Sequence, residues 1–406
     1  MYGSLYVTRR RSKHNASDSD GRRVKGQMAA FDVAVIGLGA MGSAALYNLA
    51  RRGQRVIGIE QFEPGHDKGS SHGESRIIRL SYFEHPSYVP LARRALEKWR
   101  ELERASGETI LTVTGVLEAG HPGSAIVSGS LAAARQHGLV HEELGASDIR
   151  RRFPAFQVPP QWSGLFQPEG GFLQPELAIR QFVRLAEGHG AEVRVRTPVT
   201  AIEPFGAGVR VQTAGEVIEA GAVIVAAGAW IGDFAPGLKP HLKLTRQVLG
   251  WFSPLEPALF APERCPVFLL ESEEDACYGF PDFAGTGVKT ASHREGARLT
   301  AAGNLKQDGD ADDEAQIRRM LALAMPSANG PLRQMRTCMY TRTPDEDFVI
   351  DYSPADSRIV LASPCSGHGF KFASVIGEVL ADLALGATPA SDISRFRIDR
   401  LAAQPA

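Results

Sequence analysis

The sequence predicts a two-domain α/β protein, with one domain wound on a parallel sheet and the other built on an antiparallel or mixed β-sheet. Three observations carry this expectation. Residues 32–60, DVAVIGLGAMGSAALYNLARRGQRVIGIE, read as strand, glycine turn, helix and strand. From Leu242 to Thr290 the pattern changes to short strands separated by many Pro and Gly turns, as antiparallel sheets require. At 406 residues the chain exceeds a single ordinary core and suits two domains.

The first stretch is the most specific. Val33 to Ile36 form the short apolar run of a buried parallel strand. Gly37, Gly39 and Gly42 then give G-x-G-x-x-G. The first glycine permits the tight turn, the second lets a pyrophosphate approach the backbone, and the third lets helix and strand pack closely. A helix is expected from about Ala40 to Arg52, ending near Gly53, with its N-terminal N–H groups facing the phosphates. Val56 to Ile59 form the next strand, and Glu60 stands at its end, where a carboxylate accepts hydrogen bonds from a ribose. This is a Rossmann-type dinucleotide-binding unit. Glu60 in place of an arginine cluster argues against a 2′-phosphate; FAD and NAD both remain open on this stretch.

Composition narrows the class. Lys+Arg 45 against Asp+Glu 46 gives a net charge of −1, so no global field favours nucleic acid or an anionic membrane. No apolar run approaches the roughly 20 residues of a membrane span. Cys265, Cys277, Cys338 and Cys365 form no C-x-x-C, and no zinc-ligand spacing or internal repeat is present. We expect a reducing, cytoplasmic compartment. Residues 1–27 are polar and basic, without an apolar signal core, and read as a disordered tail with Met28 as an alternative start. An arginine-rich transit peptide is the other reading, which Asp18 and Asp20 interrupt.

After Glu60 comes a loop that carries Ser70, Ser71, His72, Ser75, Arg76 and Arg79. It begins at the carboxyl end of a strand, where doubly wound sheets bind ligands. Arg76 and Arg79 are three apart and would share a face on a helical turn. A helix is expected from about Ser87 to Arg104, with Tyr88, Leu91, Ala95, Trp99 and Leu102 as its buried stripe. Thr112 to Ala119 read as one strand, Ala125 to Gln136 and Gln174 to Glu187 as helices, and Glu192 to Arg196 and Gly208 to Gln212 as strands. Ala222 to Trp230 is a buried strand whose small residues, Gly228 among them, let backbone approach a ligand. Further on, Asp312 to Met325 is a helix, and Arg336 to Thr341, Phe348 to Asp351 and Ile359 to Ala362 are strands. The turn SGHG, with Gly367 and Gly369, leads into a helix from about Phe370 to Leu385.

With these residues in view, the chain resembles the monomeric sarcosine oxidase and N-methyltryptophan oxidase family of flavoproteins from about Phe31 to Arg397. The marks are GSSHGESRIIR (69–79), EGGFLQPELAI (169–179), AAGAW (226–230), YGFP (278–281), the Lys289/His293 pair, CMYT (338–341) and SGHGFKFASVIGE (366–378), all in the same order. The resemblance implies bound FAD, with Gly37, Gly39, Gly42, Glu60, Ser70, Arg76, Gly228, Gly367, Gly369 and Lys371 among its contacts. It implies that Cys338 holds the flavin 8α-methyl group through a thioether. Arg79 and Lys371 match the pair that holds a substrate carboxylate. Lys289 matches a lysine linked to oxygen activation near flavin N5. His293, Tyr278 and Tyr340 match pocket residues, and His72 and Arg76 match residues beside the flavin ring.

Departures from the family pattern spare the flavin chemistry and bear on which substrate is bound. Ser71 replaces a histidine, Ser75 a threonine, and Leu269 a pocket methionine. The resemblance further implies a monomer that oxidises a secondary amino acid, sarcosine or another N-methyl amino acid, to an imine that hydrolyses, with O2 reduced to H2O2. The alternatives are an FAD-dependent dehydrogenase or a primary-amine, glycine-type oxidase of the same superfamily, and, more remotely, a non-catalytic dinucleotide-binding protein. We expect the FAD-binding domain at 28–115, 170–241 and 338–406, and the substrate domain at 116–169 and 242–337.

Overall fold

The computed structural model describes residues 30–293 and 296–403; the tail expected at 1–27 lies outside them. The strand Phe31–Ile36 is the centre of the first sheet. It pairs in parallel with Val56–Ile59 on one side and Val217–Val225 on the other, with Val33 opposite Val56 and Ala222. Glu192–Arg194 and Asp356–Ser363 extend the parallel set outward, and Val349–Ser353 closes an edge antiparallel. Val33 to Ile36 are buried on both faces, which is why this strand is a continuous apolar run rather than an alternating one.

Helices Ala40–Ala50, Pro175–Gly188 and Ala373–Ala384 pack together in the large core beside this sheet. The first and last lie very close: a Cβ on Gly377 would stand 2.5 Å from Ala44. The stripe expected on the helix near Ser87 is borne out, since Tyr88, Leu91, Ala95, Trp99 and Leu102 are all buried within Tyr88–Ser106.

The second sheet has nine strands among the described residues and is antiparallel except where Val116–Gly120 runs parallel to Val267–Glu271. Its core is rich in Phe and Leu, and the helix Ala311–Ala324 covers part of it. An Asp310/Asp313 capping box starts that helix, satisfying two of its orphan N–H groups.

Several local expectations are corrected. Thr112 to Ala119 is two strands, not one: Gly115, at φ +73°, breaks the run, so Leu111–Val113 joins a small sheet while Val116–Gly120 joins the large one. Arg76 and Arg79 are on no helical turn, because Arg76–Ile78 is a strand paired with Gly171–Leu173 in that small sheet. The strand before AAGAW ends at Val225, and Gly228–Trp230 is a 3-10 turn. The helix after SGHG opens as a 3-10 turn, Phe370–Phe372, before Ala373–Ala384. An edge at 337/338 would fall inside Leu332–Arg342, which pairs along Lys243–Phe252 with a bulge at Arg333; the chain leaves this sheet only after Arg342.

The consequence for function is positional. Carboxyl ends of parallel strands deliver Gly37, Glu60, Gly228 and the 364–369 turn to one rim. The second sheet supplies Leu269, Tyr278, His293 and Tyr340 to the same cavity.

Candidate active site

The glycine turn is shaped by exclusion. A Cβ on Gly37 would come 2.6 Å from the Ala226 carbonyl oxygen, and one on Gly42 would come 1.8 Å from the Gly37 carbonyl oxygen. Gly39 differs: a Cβ there would meet nothing within 4 Å, and Gly39 borders the cavity. The two tight glycines therefore fix the turn and the open one leaves room above it. Glu60 is buried; its Oε2 accepts from the Leu38 N–H at 2.7 Å and its Oε1 from the Phe62 N–H at 2.9 Å. The acid at the end of the second strand thus braces the glycine turn itself. Gly42→Ala is expected to lower the denaturant midpoint of the cofactor-free protein by about 1–3 kcal/mol of stability, whereas Gly39→Ala leaves it near the parent value.

From this turn one cavity runs along the rim, past Ser70, Arg76, Gly228, Gly367 and Gly369. Gly367 needs its positive φ of +85°, and a side chain there would strike the Tyr340 ring. At its far end the cavity is lined by Arg79, Glu84, Tyr278, His293, Tyr340 and Lys371. Two buried cations meet here over one ring: Arg79 Cζ is 4.3 Å and Lys371 Nζ 5.1 Å from the Tyr82 centroid. The Arg79 guanidinium donates to both Glu84 carboxylate oxygens at 2.6 Å and to the Ser81 carbonyl at 2.7 Å. Arg79 outweighs the burial of Glu84 and holds its carboxyl at about 2. Among the described residues Lys371 forms no ion pair with a carboxylate; its Nζ donates to the His368 carbonyl at 2.8 Å, and burial brings it down to about 7. Burial likewise pulls His293 and His368 to about 4 and pushes Tyr278 up to about 12. The Tyr278 and Tyr340 hydroxyls are 3.2 Å apart. This end of the cavity therefore offers two cations to an anion, and neutral rings around them.

Of the other expected residues, Lys289, His72 and Cys338 stand behind the wall, whereas Arg76 lines the cavity. Lys289 is 2 % exposed and donates to the Gly73 carbonyl at 2.6 Å, the Ser75 carbonyl at 2.8 Å and Ser75 Oγ at 3.1 Å. Burial and then Arg76 depress its basicity well below that of a free lysine. Glu176 braces the same loop from the start of its helix, accepting from the Gly73 and Glu74 N–H groups at 2.6 and 3.1 Å. Arg76 donates to the Ser70 and Ser75 carbonyls at 2.8 and 2.9 Å. His72 is buried, neutral near pH 7 because burial lowers it to about 4, and neither ring nitrogen has a hydrogen-bond partner among the described residues. Cys338 is buried outside the lining; Cys365 is in the lining, with the Thr341 N–H 3.4 Å from its Sγ.

Sequence reading missed Glu84, Glu118 and Glu176 as site residues and left His368 unassigned within SGHG. Glu176 sits inside EGGFLQPELAI, so that motif carried a signal; Glu84 and Glu118 have none in the local sequence. No group of three or more potential metal ligands occurs among the described residues.

A family model described as FAD dependent oxidoreductase matches residues 32–383. The monomeric sarcosine oxidase of Streptomyces avermitilis is 42% identical over 381 residues, covering 93% of this chain and 99% of that protein. An N-methyl-L-tryptophan oxidase of Salmonella heidelberg is 35% identical over 372 residues, covering 91% and 99% respectively. Among solved structures, the open form of NikD, described as an unusual amino acid oxidase essential for nikkomycin biosynthesis, superposes with a TM-score of 0.80 at 25% identity, covering 90% of this chain and 97% of that one.

Proposed function

This chain belongs to the FAD dependent oxidoreductase family, and from that premise we propose that it oxidises a secondary amino acid, sarcosine or another N-methyl amino acid, using O2. One observation carries the choice of substrate class: Arg79 and Lys371 are buried side by side in the cavity that begins at the glycine turn. An amine without a carboxylate gives those two cations nothing to bind.

The residues present suit FAD. Gly39 leaves open space over the turn, the helix that starts at Ala40 directs N–H groups there, and Glu60 closes the strand end. His72, buried behind the cavity wall beside Arg76 and Lys289, has no partner for either ring nitrogen among the described residues. Gly37, Gly39, Gly42, Glu60, Ser70, Gly228, Gly367 and Gly369 would hold the cofactor, and Cys338 would hold it covalently. When bound, FAD supplies a two-electron acceptor that O2 can regenerate with release of H2O2.

The protein's own groups do the rest. Arg79 and Lys371 fix the substrate carboxylate with charge-assisted hydrogen bonds and so orient its amine. Both Glu84 oxygens accept from the one nitrogen Nη2 of Arg79, so a substrate carboxylate that binds at Nη2 must displace Glu84. His293, neutral through burial, with Tyr278 and Tyr340, surrounds the amine without adding charge. Water then hydrolyses the imine, and an N-methyl carbon leaves as formaldehyde. The same reading takes the protein as a cytoplasmic monomer; among the described residues no helix is long and apolar enough to cross a membrane.

The test is oxygen consumption against sarcosine, N-methyltryptophan, pipecolate, proline and glycine. Oxygen uptake with peroxide release is expected from an N-methyl amino acid. Dye reduction without oxygen uptake would make it a dehydrogenase, and preference for glycine would make it a primary-amine oxidase. The clamp has its own check. Lys371→Met should weaken a carboxylate inhibitor by about ten- to a hundredfold, from roughly 1.5–3 kcal/mol for a charge-assisted bond. Because burial lowers Lys371 to about 7, its charge is present below that pH and lost above it. The difference between parent and variant should therefore be largest near pH 6 and shrink as pH rises. No difference at any pH would remove Lys371 from the clamp.

A further inference from the structure

Behind Arg79 lies a second carboxylate that the proposed reaction does not use. Glu118 is on the strand Val116–Gly120, directly opposite Leu269 of the cavity wall in the neighbouring strand. It is 0 % exposed. Its Oε2 accepts from Ser81 Oγ at 2.7 Å, and its Oε1 is 3.6 Å from Arg79 Nη1 but closes no hydrogen bond among the described residues. The Ser130 hydroxyl, on the helix Ala125–His137, lies near enough to favour the ionised form without completing a bond.

We propose that Glu118 is the proton acceptor of the carboxylate site: an anionic ligand that enters against Arg79 is matched by one proton added to Glu118. The inference rests on the reading of Arg79 and Lys371 as the substrate clamp. The proton comes from solvent and converts the Glu118 carboxylate to a carboxylic acid; no electron pair other than that O–H bond moves. The reason is charge balance in a dry place. Four groups share this corner: Arg79 and Lys371 as cations, Glu84 and Glu118 as anions. His293 and His368, both lowered to about 4, add no charge near neutrality. A ligand carboxylate brings one more negative charge and takes over the Arg79 fork. Glu84 lines the cavity itself, 17 % exposed on its side chain, and can turn within it. Glu118 has no such freedom, and the cation that offset its charge is now shared with an anion.

A buried carboxylate in that position responds by protonating. It begins close to doing so, since burial, opposed by Arg79 and Ser81, already lifts it to about 7. The sign follows from linkage. Binding that adds a proton is favoured as pH falls, and the dissociation constant rises by up to about tenfold per pH unit once the free-site carboxyl is ionised. Lys371 titrates in the same range and contributes with the same sign, so the informative comparison is between the parent and a Glu118 variant.

The experiment is calorimetric titration of the holoenzyme with propionate, a carboxylate with no oxidisable amine, in two buffers of different ionisation heat between pH 6 and 9. Propionamide serves as the uncharged control. The parent should take up protons on binding propionate. Glu118→Gln should lose close to one of them at pH 8 and flatten the pH dependence of Kd, and Glu118→Asp should restore both. Ser81→Ala removes the donor that favours the carboxylate and leaves Glu118 in place. It should move the midpoint of the Kd profile up by about half to one pH unit, and it decides the question even where Glu118→Gln does not fold. Proton uptake unchanged in Glu118→Gln, or an unmoved midpoint in Ser81→Ala, would assign the proton to Lys371 or Glu84 and overturn the proposal. Propionate binding no tighter than propionamide would instead overturn the clamp, and the inference with it.

Discussion

Cys338→Ala should turn an acid-precipitated pellet of this protein from yellow to colourless, with all the flavin in the supernatant, while Cys365→Ala should leave the pellet yellow. The effect is all-or-none because a thioether survives denaturation and non-covalent contacts do not. The structure makes the contest between the two thiols a real one. Cys365 borders the cavity, whereas Cys338 is 1 % exposed in the strand Leu332–Arg342 and lies outside the lining. Accessibility alone would favour Cys365. What favours Cys338 is its place in CMYT; burial raises its thiol, and Arg76 and Lys289 oppose that rise without overcoming it. A parent protein whose pellet is colourless would end the covalent assignment. Colour lost only in Cys365→Ala would transfer it to the cavity wall.

That contest shows where sequence reading stops. The glycine turn was legible because its logic is local: strand, turn and helix are contiguous, Gly37 and Gly42 answer to atoms a few residues away or just past the adjacent strand, and Gly39 faces open space. The long helices were legible for the same reason, and Tyr88–Ser106 buries the stripe its periodicity predicts. Thr112 to Ala119 was misread because an apolar run looks the same whether it enters one sheet or two; the difference is one glycine with positive φ. Arg76–Ile78 was misread because its strand partner, Gly171–Leu173, is far along the chain. The pairing of Arg79 with Lys371 came from family resemblance, not from spacing, and Glu84 and Glu118 came from neither. Their meaning depends on which side chain a distant strand sets against Arg79, and no local pattern encodes that.

Lys289→Met should reduce turnover with O2 by about a hundred- to a thousandfold, the range seen when a preorganised charge-stabilising group is removed, while turnover with an artificial dye acceptor falls only a few-fold. When O2 accepts an electron, negative charge appears on a molecule that had none, and a fixed nearby cation stabilises it without reorganising. Lys289 meets the structural requirements for that role. Its ammonium is buried, and its three donors are taken by Gly73 and Ser75, so it cannot swing away to solvent. Burial, and Arg76 after it, lower its basicity, so the charge it needs is present below its depressed pKa and lost as pH rises through it. The O2-dependent rate of the parent should therefore decline toward alkaline pH in a way the dye-dependent rate does not. The competing view is that Lys289 only ties the 73–75 loop in place. Lys289→Gln discriminates, because its amide can still donate to the Gly73 and Ser75 carbonyls but carries no charge. If loop order is all that matters, Lys289→Gln should recover the O2 turnover that Lys289→Met loses. If the charge matters, both variants should lose O2 turnover and keep dye turnover. A Lys289→Met protein that reacts normally with O2 would leave Arg76 as the cation to test next.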